Sequence, residues 1–324
     1  MGAGVNRTLA AGLALLLAVP GGASAAPRAK QAAFDVDKGA ERWRFHYRFV
    51  DEASRVQSLY FELPAERVAR DNDVPLQFPM SEAVKSEVAA VRRYADTHPG
   101  PKITASAKGG AVSIKVSGKN AEKMRGALKG AAQAADDALD LFLARHRYTR
   151  LRSGGISPDH ARLADQYADD VAPLASALAH DAPDARTYVE RALTFVQSIP
   201  YESGKTGKDK GYRRPLSVLA RNKGDCDSKT TLFLALVRAE HAELQSTVVY
   251  VPNHAFAGVA LTPEPGDRSF VRDEVTYVGM EPVGPAKLPA GRVSGKAGWH
   301  LFWGSAEARA LRVGAPAERA ETTE

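Results

Sequence analysis

Along the first half of the chain, apolar positions recur at strand spacing, then at helix spacing, and the sequence of patterns then repeats. Residues 44–50 and 56–62 alternate imperfectly between apolar and polar, as half-buried strands do. Asp51-Glu52-Ala53-Ser54-Arg55 joins them, so the pair reads as a hairpin. Ser81 is expected to cap a helix running to about Thr97, stopped by His98-Pro99-Gly100-Pro101. Residues 102–107 and 111–117 flank Gly109-Gly110, a second hairpin signal. Asn120 then opens an alanine-rich helix reaching about His146. Two hairpins and two helices make residues 26–152 a small α+β module, and no chemistry is visible in it.

Ser153-Gly154-Gly155 marks a boundary, and a second domain is expected over residues 153–290. Ser157-Pro158-Asp159 begins a helical pattern that continues through His180. Asp184 caps another helix, with Val189, Ala192, Leu193 and Val196 on one face, ending before Pro200. Residues 215–220 form a short helical turn, and from Cys226 to about His241 the pattern is helical with a stripe including Leu232, Leu234 and Leu236. Residues 245–251, 255–261 and 270–278 read as strands. Residues 291–324 are expected to hold a C-terminal strand and a disordered tail, with Trp299, Phe302 and Trp303 covering a core edge.

The N-terminus alters the picture. Arg7 precedes an apolar run over residues 9–19, then Pro20-Gly21-Gly22 and Ala23-Ser24-Ala25. That is the charged, apolar and small-residue order of a secretory signal peptide over residues 1–25. The run is too short for a membrane span, which needs about 20 residues. The expected mature protein is soluble after signal cleavage, and periplasmic or secreted. Its net charge of +6 comes from scattered Lys and Arg, with no basic stripe, so a nucleic-acid partner is not expected. The sole cysteine, Cys226, can form no internal disulfide, which is uncommon in an oxidising compartment.

Gly224-Asp225-Cys226 stands at a helix entrance, with Gly224 permitting a tight turn and Asp225 a natural N-cap. Cys226 in the first turn meets unpaired N–H groups that favour a thiolate and can hold an oxyanion. Asp225 and Asp227 oppose thiolate formation unless a cation or histidine compensates. His254 follows a strand, and a turn centred between Asp267 and Arg268 would set Leu261 opposite Glu274 and His254 opposite Glu281. That separation suits a carboxylate that orients an imidazole. A satisfied histidine at a strand edge and a solvated Glu281 would leave the same pattern in the sequence.

Asn222-Lys223-Gly224-Asp225-Cys226, the helix beginning Asp227-Ser228-Lys229-Thr230, the strands leading to His254, and Glu281-Pro282 together resemble the transglutaminase-like cysteine hydrolases. Phe195-Val196-Gln197-Ser198-Ile199-Pro200-Tyr201 is similar to the segment that precedes the cysteine in bacterial members of that superfamily. The resemblance covers roughly residues 155–290. It implies a papain-like arrangement, with a cysteine-bearing helix packed on an antiparallel sheet that carries the histidine and acid. It also implies Cys226 as nucleophile, His254 as base and Glu281, where the family more often has Asp, as the orienting acid. Gln197 becomes a candidate oxyanion donor and Tyr201 a candidate cleft residue. Some exported relatives are calcium-dependent proteases, but Asp225 and Asp227 lack the rest of an oxygen cage. No metal or other cofactor is expected, and Ca²⁺ is the one ion the resemblance leaves open.

The implied activity is acyl transfer from a peptide or protein amide, with a cell-envelope substrate suiting the address. Transfer to water makes a protease or amidase, and transfer to an amine a transglutaminase. The alternative is a non-catalytic transglutaminase-like scaffold that binds in the envelope; a binder of anionic polymers is a third. Ser203-Gly204-Lys205-Thr206 ends like a phosphate loop, but Ile199 stands where that motif requires glycine. Residues 203–214 read as a basic loop. The other histidines show no metal-ligand spacing.

Overall fold

The computed structural model describes residues 2–8, 30–72, 76–202, 212–252, 254–302 and 304–311. The part of the expected signal segment beyond Thr8, most of the basic loop, Trp303 and the C-terminal tail lie outside them. Strand β1 (Gly2–Thr8) comes first, then β2 (Gln31–Lys38), β3 (Arg42–Val50) and β4 (Val56–Pro64). In β3 the strand period is plain: Trp43, Phe45, Tyr47 and Phe49 are buried while Arg42, Arg44 and Arg48 are exposed. Helix α1 (Ala65–Asn72) follows, then α2 (Met80–Thr97), which starts after Pro79, so Ser81 lies inside its first turn and does not cap it.

Strands β5 (Lys102–Lys108) and β6 (Ala111–Ser117) form the expected second hairpin. Gly109 and Gly110 turn it with φ of 59° and 80°, which a side chain at either position would resist. Helix α3 (Ala121–His146) starts where the Asn120 side chain accepts from the Lys123 amide. The short strands β7 (Tyr148–Arg150) and β8 (Ile156–Pro158) pair before α4 (His160–Ala179). Ser157 and Pro158 therefore end a strand and do not start the helix; a residue before proline is driven from helical to extended backbone.

Helix α5 (Ala185–Ser198) is capped by Asp184 as expected, and α6 (Pro215–Arg221) precedes α7 (Cys226–Glu240). The remaining elements are β9 (Ser246–Val251), β10 (His254–Val259), β11 (Ser269–Arg272), β12 (Val275–Met280), α8 (Gly295–Phe302) and β13 (Glu307–Ala310). The last five strands make an antiparallel sheet in the order β11-β12-β10-β9-β13. Mixed helices and antiparallel sheets make the fold α+β.

The chain forms two compact units. One contains β1 and residues 77–159, where α2 and α3 cover one face of the β1-β6-β5 sheet through Val84, Val88, Ile114, Ala131 and Ala135. The other joins the described residues between 30 and 76 to those from His160 onward. The first hairpin thus keeps company with the cysteine helix and not with the second hairpin, unlike the expected 26–152 grouping. The cause is its aromatic inner face. Tyr47 and Phe49 meet the Phe195 ring of α5 edge-on at 5.1 and 5.5 Å, and the Tyr47 hydroxyl donates to the Leu219 carbonyl at 2.7 Å. Helix α7 is the centre of this unit: residues 228–237 are buried without a break, so it packs on all sides and not along one stripe.

Two further expectations change. Residues 270–278 are not one strand, because Asp273 and Glu274 both take left-handed backbone and turn β11 into β12. Trp299 is 57% exposed on α8 and does not cover a core edge.

Phe195→Ala should destabilise the protein by about 3–5 kcal/mol, because the cavity opens between α5 and the β3 aromatics. Denaturant unfolding checks this, and a cost near zero would contradict the packing of the first hairpin on α5.

Candidate active site

Backbone bonds hold the approach to Cys226. The Gly224 amide donates to the Pro200 carbonyl at 3.3 Å, and the Glu202 amide donates to the Gly224 carbonyl at 3.0 Å. This short parallel bridge sets Tyr201 beside Gly224, just ahead of the cysteine. Asp225 is extended, and its carboxylate accepts from the Ser228 amide at 3.0 Å, so α7 begins at Cys226 as the capping pattern predicts. One turn on, and on the same helix face, the Thr230 hydroxyl donates to the Ala255 carbonyl at 3.2 Å. The face of α7 that carries Cys226 is therefore the face packed on β10.

His254 opens β10, and its Nε2 is hydrogen-bonded to Oε1 of Glu281. The pair forms by a different route from the one expected. Strand β10 is bordered by β12, with Ala257 opposite Met280, where the simple hairpin would set it opposite Val278. A shift of two residues keeps side chains on the same face. Glu281, one residue past β12, still reaches His254. Its second oxygen accepts from the Ser294 amide at 3.3 Å. Among the described residues the His254 Nδ1 has no hydrogen-bond partner, so a neutral ring with its proton on Nε2 offers a lone pair at Nδ1.

Cys226 is 8% exposed. Burial, then the carboxylates of Asp227 and Asp225, push its thiol well above the ordinary range, and the Ala255 backbone amide only partly offsets them. The thiol donates to Asp227 Oδ1 at 3.5 Å. The expected preference of the first helical turn for a thiolate is thus outweighed, and the resting sulfur is protonated. Burial alone would lower the pKa of His254; the Glu281 hydrogen bond and charge, with help from Asp227, win, and the net shift is upward.

Tyr201 is half-buried, and burial, more than the acidic neighbours Asp225 and Asp227, raises its pKa. Gln197 is a different matter. Its Nε2 donates to the Glu281 carbonyl at 3.0 Å and the Leu288 carbonyl at 2.7 Å. Both amide hydrogens are committed to backbone, so in this structure they are not available to an oxyanion.

Two residues that pattern reading did not single out, His160 and Lys229, belong to the same neighbourhood, and Asp227, already marked as opposing a thiolate, takes a direct part in it. Asp227 is the thiol's acceptor. His160 is fully buried on α4, and its Nδ1 is 2.7 Å from the Thr231 hydroxyl; burial raises the pKa of Asp227, and positive charge on His160 only partly offsets this. Lys229 is buried on α7, and burial lowers its pKa to about 7. Their only sequence signals were adjacency to Cys226 or a polar residue in an apolar helix. No group of three or more His, Cys, Asp or Glu suited to a metal occurs among the described residues, and no described helix is long and apolar enough to cross a membrane.

Glu281→Gln should bring the His254 pKa back down toward the ordinary value of about 6.5, as read by NMR titration. Because Glu281 raises that pKa in the folded state, its ionic contribution to stability is present below the unfolded pKa and is lost as pH rises through the folded one. The stability gap between the wild type and this variant should be wider at about pH 6 than at about pH 9. An equal gap at both would contradict the ion pair.

No family model and no curated protein matches the chain. Among solved structures it is similar to a candidate protease from Parabacteroides distasonis ATCC 8503, at 10% identity and a TM-score of 0.27, over 57% of this chain and 41% of that one. A likeness at that level assigns neither fold nor activity.

Proposed function

We propose that the protein is an exported thiol enzyme of transglutaminase-like, papain-like design that transfers acyl groups from peptide or protein amides of the cell envelope. The observation that carries this is the His254–Glu281 bond beside the helix that starts at Cys226. It orients the imidazole and leaves Nδ1 for the thiol, the order of nucleophile, base and orienting acid.

In this mechanism the resting pair is neutral. His254 Nδ1 takes the Cys226 proton as sulfur attacks the carbonyl carbon, a C–S bond forms, and the carbonyl electron pair moves to oxygen. Asp225 already engages the amides of Ser228 and Lys229. The Cys226 and Asp227 amides are left to hold the oxyanion. Collapse breaks the C–N bond, and His254 returns the proton to the leaving amine. Water then releases the acid, or a second amine takes the acyl group. Tyr201 lines the cleft beside the sulfur. Asp225 and Asp227 hold no ion in any step.

The near-complete burial of Cys226 and the two flanking carboxylates favour the second possibility, a non-catalytic scaffold of the same design. Peptide libraries offered with and without a labelled amine distinguish the two. The enzyme should give new N-termini or amine adducts, lost by at least about 10³-fold in Cys226→Ala and His254→Ala. Equal product from wild type and Cys226→Ala, or none from either, would overturn the enzymatic proposal.

A further inference from the structure

Glu281 is poorly held by the sheet. The β10–β12 ladder ends at the Ala257–Met280 pair, and residues 281–285 belong to no strand or helix. An acid in that position needs other supports if it is to meet His254 in one geometry.

The supports are two buried side chains from the helices. Lys229 is 0% exposed, and its Nζ donates to the carbonyls of Val283 at 2.6 Å, Ile199 at 2.7 Å and Gln197 at 3.4 Å. Three acceptors match the three N–H groups of an ammonium. Gln197, at the end of α5, holds the Glu281 and Leu288 carbonyls. The segment bearing the acid is therefore fastened at residues 281, 283 and 288 to α5 and α7. Gly284, at φ 57°, crosses so closely that a Cβ there would lie 2.3 Å from the Gln197 carbonyl oxygen and 3.2 Å from the Lys229 Nζ. Lys229 stands three residues after Cys226 on α7, so one helical turn carries both the sulfur and the anchor of the acid's segment. Burying an ammonium away from any carboxylate is unfavourable, and a methionine would fill the same space without that penalty. What the lysine adds is the fastening.

We infer that Lys229, with Gln197, is a positioning residue that sets Glu281 against His254 relative to Cys226. This rests on the proposed role of Glu281 as the orienting acid, but its principal test does not require turnover. Lys229→Met should remain folded by circular dichroism, and its His254 pKa, read by NMR, should fall by about one unit toward the ordinary value. Gln197→Met, which removes the other support, should move His254 in the same direction and serves if Lys229→Met does not fold. Where turnover is measurable, the loss should fall on kcat, roughly 100-fold, with KM little changed. A His254 pKa equal to the wild type's in a folded variant would overturn the inference. A shifted pKa in a protein that cleaves no amide would leave it standing and overturn only the enzymatic proposal.

Discussion

A carboxylate held against an imidazole just beyond the last paired residue of a strand is the contact on which the candidate site depends. Glu281 engages His254 through one oxygen and the Ser294 amide through the other, so its charge is directed and its rotation restricted. The bond decides which imidazole nitrogen is left over. It also raises the pKa of a histidine whose burial would otherwise lower it. Remove it, and what remains is a buried thiol hydrogen-bonded to Asp227 and an imidazole with no preferred tautomer.

The electrostatics around Cys226 pull in opposite directions. The helix N-terminus and the Ala255 amide favour a thiolate, while burial and the carboxylates of Asp227 and Asp225 oppose it more strongly. That balance suits a thiol that hands its proton to a neutral imidazole during attack better than it suits a preformed ion pair. The same burial that raises the thiol pKa lowers that of Lys229, because desolvation penalises whichever form is charged.

Much of this was legible in the chain, for identifiable reasons. Asn120, Asp184 and Asp225 announced their helices because a capping side chain binds amides two or three residues away, which is local chemistry. Gly109-Gly110 announced its hairpin because only those residues tolerate its backbone cheaply. The β11–β12 turn was hidden because Asp273-Glu274 carries no glycine. The grouping of the first hairpin with α5 was hidden because Phe195 and Tyr47 are far apart in sequence. His254 and Glu281 were paired from an incorrect register that erred by an even number, which leaves faces unchanged. Gln197 and Lys229 could be seen only once their carbonyl partners were in place.

The most direct measurement of the central claim is the rate of Cys226 alkylation as a function of pH in the wild type and in His254→Ala. If His254 is the base for a neutral thiol, the wild-type rate rises as the imidazole loses its proton, far below the alkaline range in which the variant begins to react. Superimposed profiles, both rising only in that alkaline range, would contradict a working Cys226–His254 pair.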